Sequence, residues 1–126
     1  MMSAVLLVGL GGALGAMARF SLGIAVLRAL GPTALPVPIL VINVLGSLAM
    51  GFCVVALAQK GLSHLGLFVL TGLLGGFTTF SAFSLETVTL LESGATGQAA
   101  LYVALSVGLS VGGLMVGLWL ARGIWA

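Results

Sequence analysis

Residues 72–86 read GLLGGFTTFSAFSLE and sit inside an apolar run that begins near Leu65 and ends near Leu91. Gly75 and Gly76 remove two consecutive side chains. Thr78 and Thr79, just beyond Phe77, carry hydroxyls able to cap a helix that restarts. The reading is a membrane helix unwound at its twin glycines. An uninterrupted helix with a Gly-Gly packing notch is the alternative, because membrane helices accept glycine readily. An unwound backbone at that depth releases carbonyls and amides that are costly when unpaired, so they must be buried in protein or line a polar cavity. Discontinuous helices of this kind hold ion sites in transporters.

Beyond the glycines, a helical spacing of 100° per residue places Phe80, Phe83, Ser84 and Thr87 within one sector about 100° wide. Two rings and two hydroxyls then share a face. An aromatic ring is positive at its edge, so ring edges beside hydroxyl donors give a small anion favourable contacts without an opposing full charge. Weak contacts suit conduction, since the ion must also leave. Two Phe at i, i+3 are by themselves much more often plain packing, and the pair alone assigns no anion path.

The rest of the chain has the composition of a protein solvated by lipid. Of 126 residues, 61% are hydrophobic and 5% charged, and the mean hydropathy is +1.37, values a water-soluble domain does not carry. At about 20 residues per span, the length admits four crossings and no soluble domain. The expected spans are 3–27, 38–58, 65–91 and 97–121, making residues 1–126 a single all-α transmembrane domain. Gly31, Pro32, Pro36 and Pro38 punctuate the first connection, and Gly94 to Gly97 the last. Met1–Leu10 lacks a basic leader and its apolar run continues onward, so it reads as a retained first span.

Charge is sparse. Arg19, Arg28, Lys60 and Arg122 face only Glu86 and Glu92, and no two basic residues are neighbours, which excludes the clustered basic face that nucleic acid requires. Counted by side, the N-terminus, Lys60 and Arg122 fall on one side of the membrane and Arg28 on the other, with Arg19 leaning towards it. So weak a bias permits insertion in both orientations, and two copies could then meet as an antiparallel dimer; a partner that fixes one orientation is the alternative. The single Cys53 lies in an apolar stretch and forms no disulfide within the chain.

Small residues at four-residue spacing, Gly11 and Gly15, Gly108 and Gly112, Gly113 and Gly117, predict close helix crossings. Asn43, with Ser47 and Gly51 on the same face, is either an interhelical hydrogen bond or part of a polar pathway. Tyr102, Ser106 and Ser110 form a second polar stripe, whose serines either line a path or satisfy their own helix. Arg19 and Glu86 are the charges placed deepest, facing the bundle interior or reaching back to the interface. One histidine in a short loop, one cysteine and two separated acids supply neither a metal cluster nor a nucleophile with its base, so no enzyme is expected.

Three blocks, GGALGAMAR at 11–19, NVLGSLAMG at 43–51 and GGFTTFSAFSLE at 75–86, resemble in order and spacing those of the CrcB/Fluc fluoride ion channels. The third block is the most specific; the fourth span agrees in length and character only. The resemblance implies an antiparallel, dual-topology homodimer in a cell inner membrane, with two fluoride pores and a central structural sodium ion. On the same ground, Phe80 and Phe83 become the pore phenylalanines and Asn43 the second-span asparagine. Thr79, Ser81, Ser84, Tyr102, Ser106 and Ser110 fill out the fluoride pathway. Arg19 and Glu86 fall at the vestibule and pore mouth, and the carbonyls of Gly75 and Thr78 hold the sodium. Ala82 departs from relatives that carry threonine there, and Ser81 is the nearest substitute hydroxyl.

The implied activity is passive fluoride export. Two rivals share the size and span number. A small multidrug exporter needs an acid buried in the first span, and Met1–Leu27 has none. A non-transporting assembly subunit remains, and is distinguished by an absence of ion flux.

Overall fold

In hydrocarbon every backbone polar group must be satisfied internally, which makes helices the economical solution for so apolar a chain. The computed structural model describes residues 1–125. Four stretches, Met2–Leu30, Val37–Gln59, Ser63–Glu92 and Thr96–Ile124, are long and apolar enough to cross a membrane, and each end lies within three residues of the expected span. α1 is Met2–Leu30 and α2 is Val37–Gln59. The third crossing is composite: a 3-10 turn at Ser63–Leu65, a π-helical stretch at Leu67–Leu74, a short α3 at Gly75–Phe77, and then α4 at Phe80–Glu92. α5, Thr96–Ile124, completes the bundle.

Helix ends follow local chemistry. Gly31 terminates α1 at φ 69, Pro36 precedes α2 with Pro38 in its first turn, and Gly94 turns the chain between α4 and α5 at φ 84.

Two close crossings hold the bundle. α2 runs against α5 in the most extensive contact of the fold. Gly51 lies on the Leu114 carbonyl and Gly117 on that of Leu48, so a methyl group at either would overlap backbone. α1 packs on the π-helical stretch and α3. There Gly11 faces Phe68 and Gly72, Gly15 faces Leu73 and Gly76, and a Cβ on Gly76 would stand 2.6 Å from the Gly12 carbonyl oxygen. Two of the three predicted glycine pairs therefore make crossings, whereas Gly108 and Gly112 have nothing within 4 Å of where a Cβ would stand.

The break in the third crossing lies at a different place from the expected one. Gly75 is helical, with φ -63 and ψ -36. The chain leaves the helix at Thr78, φ -82 and ψ 156, and Thr79, φ -150 and ψ 117. Gly76 is engaged by α1: with no side chain it lets the two backbones approach, while Gly75 meets only the Leu70 carbonyl of its own crossing, and the interruption falls at the β-branched threonines, which favour extended geometry.

The interior is thin. Ile42, Leu74, Ala99, Tyr102 and Ala121 are its buried apolar residues, while large apolar side chains such as Phe20, Phe80 and Trp119 are more than two-thirds exposed. Such a surface belongs against lipid tails or another membrane helix.

Candidate functional site

At the break, two extended residues interrupt the i to i+4 pairing, and the released groups find specific partners. The Thr79 N–H, which in an unbroken helix would bond the Gly75 carbonyl, donates instead to Asn43 Oδ1 at 2.8 Å. Asn43 Nδ2 donates back to the Thr79 carbonyl at 3.1 Å. The Ala82 N–H, the helical donor for Thr78, bonds Thr79 Oγ1 at 3.1 Å, so Thr79 is the N-cap of α4. The carbonyls of Gly75 and Thr78 thus lose their helical donors to side chains. Thr78 itself is held from behind, its N–H and its Oγ1 both bonding the Leu74 carbonyl at 3.0 Å, while its methyl rests on Gly46.

Beside the break opens a cavity of about 350 Å³, lined by Asn43 and Ser47 of α2, Thr78 and Thr79, Phe80 and Phe83 of α4, and Ser106 and Ser110 of α5, with Val107 and Val111 at its edge. The rings form a short series. Phe83 lies 5.3 Å from Phe80 and 5.4 Å from Tyr102 between centroids, tilted to both. Phe80 is 77% exposed and projects away from the rest of the chain. Tyr102 is fully buried and Ser106 is 6% exposed, and neither Tyr102 Oη nor Ser106 Oγ makes a hydrogen bond of good geometry, the nearest approach to one being between the two hydroxyls themselves, one turn apart on α5. Buried hydroxyls are seldom left unpaired without a reason.

The residues singled out from sequence separate into groups. Asn43, Thr79, Phe80, Phe83, Ser106 and Ser110 meet at the cavity, and Tyr102 adjoins it through Phe83. Ser81 is not among the lining residues; its hydroxyl sits 3.2 Å from Thr79 Oγ1, beside the cap. Ser84 and Thr87 donate to the carbonyls of Phe80 and Phe83 one turn back, so their protons serve their own helix. Arg19 turns inward, its Nε donating to the Gly76 carbonyl at 3.2 Å. Glu86 is half-buried, one turn past Phe83 on α4. Among the described residues no cluster of three His, Cys, Asp or Glu side chains could hold a metal. Ser47, Val107 and Val111 complete the lining. Ser47 was legible one turn after Asn43, whereas the two valines gave no signal beyond their place beside Ser106 and Ser110.

The family model described as CrcB-like protein, Camphor Resistance (CrcB), matches residues 6–118, which takes in the break, the cavity and all four crossings. The chain belongs to this family. CrcB relatives resemble it almost end to end. A protein of Roseobacter denitrificans is 64% identical over 98% of this chain and 99% of its own length. One from Ruegeria sp. is 61% identical over 98% of both. A third, from Jannaschia sp., is 73% identical over 74% of this chain and 89% of its own. All three relatives carry the name fluoride-specific ion channel FluC. The CrcB match therefore extends to the fourth crossing, where the sequence blocks offered no distinctive motif.

Proposed function

We propose that this chain is the subunit of a fluoride-selective ion channel of a multi-pass membrane protein family, a conductor and not an enzyme. Family membership and the shared name of close, full-length relatives support it. The observation in the fold that carries the reading is the pair of buried, unpartnered hydroxyls of Tyr102 and Ser106 beside the Phe80–Phe83 rings. Fluoride is a small, strongly hydrated acceptor. Oriented O–H and N–H donors together with positive ring edges replace its water, and none is strong enough to trap it. The route runs along Asn43, Thr79, Phe80 and Phe83 on one wall and Ser110, Ser106 and Tyr102 on the other, with Ser81 and Ser84 nearer the outer face of α4. Arg19 and Glu86 stand towards its ends. Transport is passive. Hydrogen fluoride enters from an acidic exterior, dissociates in the more neutral cytoplasm, and the anion leaves down its gradient across the cell inner membrane.

The working unit is an antiparallel homodimer with two pores. Phe80, so exposed in one copy, finds its place against the second, and the near balance of basic residues between the two sides allows both orientations. A sodium ion at the centre fits the chemistry of the break. The carbonyls of Gly75 and Thr78, whose helical donors bond Asn43 and Thr79 instead, are hard oxygen ligands without a positive partner. Bound there from both copies, sodium would pin the two breaks together.

Purified protein in liposomes loaded with potassium fluoride tests the proposal with a fluoride electrode. Rapid efflux on adding a potassium ionophore is expected, with little chloride efflux under the same conditions. An absence of fluoride efflux, or equal efflux of the two anions, overturns it. The sodium assignment is checked separately by thermal unfolding in sodium against N-methylglucamine, with a higher midpoint expected in sodium.

A further inference from the structure

A positive charge two-thirds of the way along a membrane helix ordinarily faces water or reaches for the interface. Arg19 does neither with its Nε, which donates to the carbonyl of Gly76. Gly76 is the residue between the end of the α1 crossing and the threonine break, and in an unbroken helix its oxygen would accept the N–H of Phe80. The extended geometry of Thr78 and Thr79 removes that donor. The guanidinium arrives there because Arg19 follows Gly15 by one turn of α1, and Gly15 lies directly on Leu73 and Gly76. The glycine crossing thus delivers a hydrogen-bond donor to a break carbonyl that Asn43, which donates to the Thr79 carbonyl, does not reach.

We propose that Arg19 is a positioning residue for the conduction site: its Nε replaces the lost helical donor of Gly76 and so keeps Thr78 and Thr79 in their extended, cavity-lining form. The hydrogen bond is the functional part of the side chain, and the charge is secondary. With Gly76 capped from α1, the carbonyls of Gly75 and Thr78, whose helical donors bond Asn43 and Thr79, are left without such a cap.

Two substitutions separate bond from charge. A glutamine places its amide nitrogen the same number of bonds from the backbone as Arg Nε, so R19Q keeps the donor and loses the charge. Methionine puts a methyl group there, so R19M loses both. Fluoride efflux and amide hydrogen exchange at Thr79 and Ala82 are measured on wild type and both variants. The expected result is R19Q with amide exchange at the break within about threefold of wild type and fluoride efflux clearly faster than that of R19M. R19M should conduct at least about tenfold more slowly, with at least about tenfold faster exchange confined to the break, the scale of losing a charge-assisted hydrogen bond. Equal defects in R19Q and R19M, or no defect in R19M, overturn the proposal; so does acceleration spread evenly over the whole chain, which marks a general loss of stability. Failure of R19M alone to fold supports the need for the donor, and failure of R19Q as well counts against it. This inference deepens the channel reading, and the two fail separately: without wild-type fluoride flux that reading falls, while exchange at the break still decides the role of Arg19.

Discussion

Asn43 grips Thr79 with both ends of its amide, accepting the backbone N–H at 2.8 Å and donating to the carbonyl at 3.1 Å. One side chain from α2 thereby does for the break what a neighbouring strand would do in a sheet, and it does so from the wall of the cavity. Asn43→Ala leaves a donor and an acceptor unpaired in a low-dielectric setting, at about 1–3 kcal/mol each. The expected outcome is a loss of fluoride efflux of more than about tenfold, together with a lower unfolding midpoint. Asn43→Asp keeps only the acceptor and sets a carboxylate against the Thr79 carbonyl, so it should be no better than alanine in the same liposome assay.

Phe83 stands between Phe80 and Tyr102 at nearly equal ring separations. Phe83→Ile preserves apolar bulk and removes the ring edge, so fluoride efflux should largely stop while the protein remains folded. Unchanged flux would remove this ring from the pathway. Phe52→Leu, at a ring that packs on Trp125 away from the cavity, should conduct normally.

The unpartnered hydroxyls carry an unusual signature. Deleting an unpaired buried donor removes a desolvation penalty and no bond. Tyr102→Phe and Ser106→Ala should therefore leave the unfolding midpoint equal or higher, while each slows fluoride efflux several-fold. A variant that loses stability in step with flux would mean that the hydroxyl bonds protein and not the ion.

Two glycines should respond to alanine with opposite signs. A methyl group at Gly15 overlaps the Leu73 carbonyl, a backbone atom with little room to move, so Gly15→Ala should destabilise by about 1–3 kcal/mol. Gly97, in the first turn of α5, has open space around it, and Gly97→Ala should stabilise by up to about 1 kcal/mol through helix propensity alone. Thermal unfolding in detergent reads both.

The four crossings could be read from sequence because each is a long apolar run, and hydrocarbon leaves a backbone few other options. Within the third crossing the reading was right about an interruption and misplaced it. Gly75-Gly76 is a signal for either unwinding or close approach, and only the position of α1 shows that approach is the use of Gly76. The π-helical stretch at Leu67–Leu74 left no trace, since the choice between i+4 and i+5 pairing depends on the neighbouring helix and not on side-chain type. Asn43 and Arg19 were recognised as polar groups at depth. Their partners are backbone atoms of Thr79 and Gly76, which carry no residue-specific signal. Ser84 and Thr87 shared a face with the rings as expected, but their protons are committed to their own helix, a matter of rotamer that spacing does not determine.

The interruption at Thr78 and Thr79 also constrains the order in which the molecule is made. The Thr79 amide and carbonyl are satisfied by Asn43, the Gly76 carbonyl by Arg19, and the Ala82 amide by a cap that exists only after the bend. During biogenesis a lone third segment in lipid has none of the first two, so it is cheapest as one continuous rod as it leaves the translocon. The bend then depends on docking of the first two helices, and a chain that misses either docking event would keep a straighter third helix.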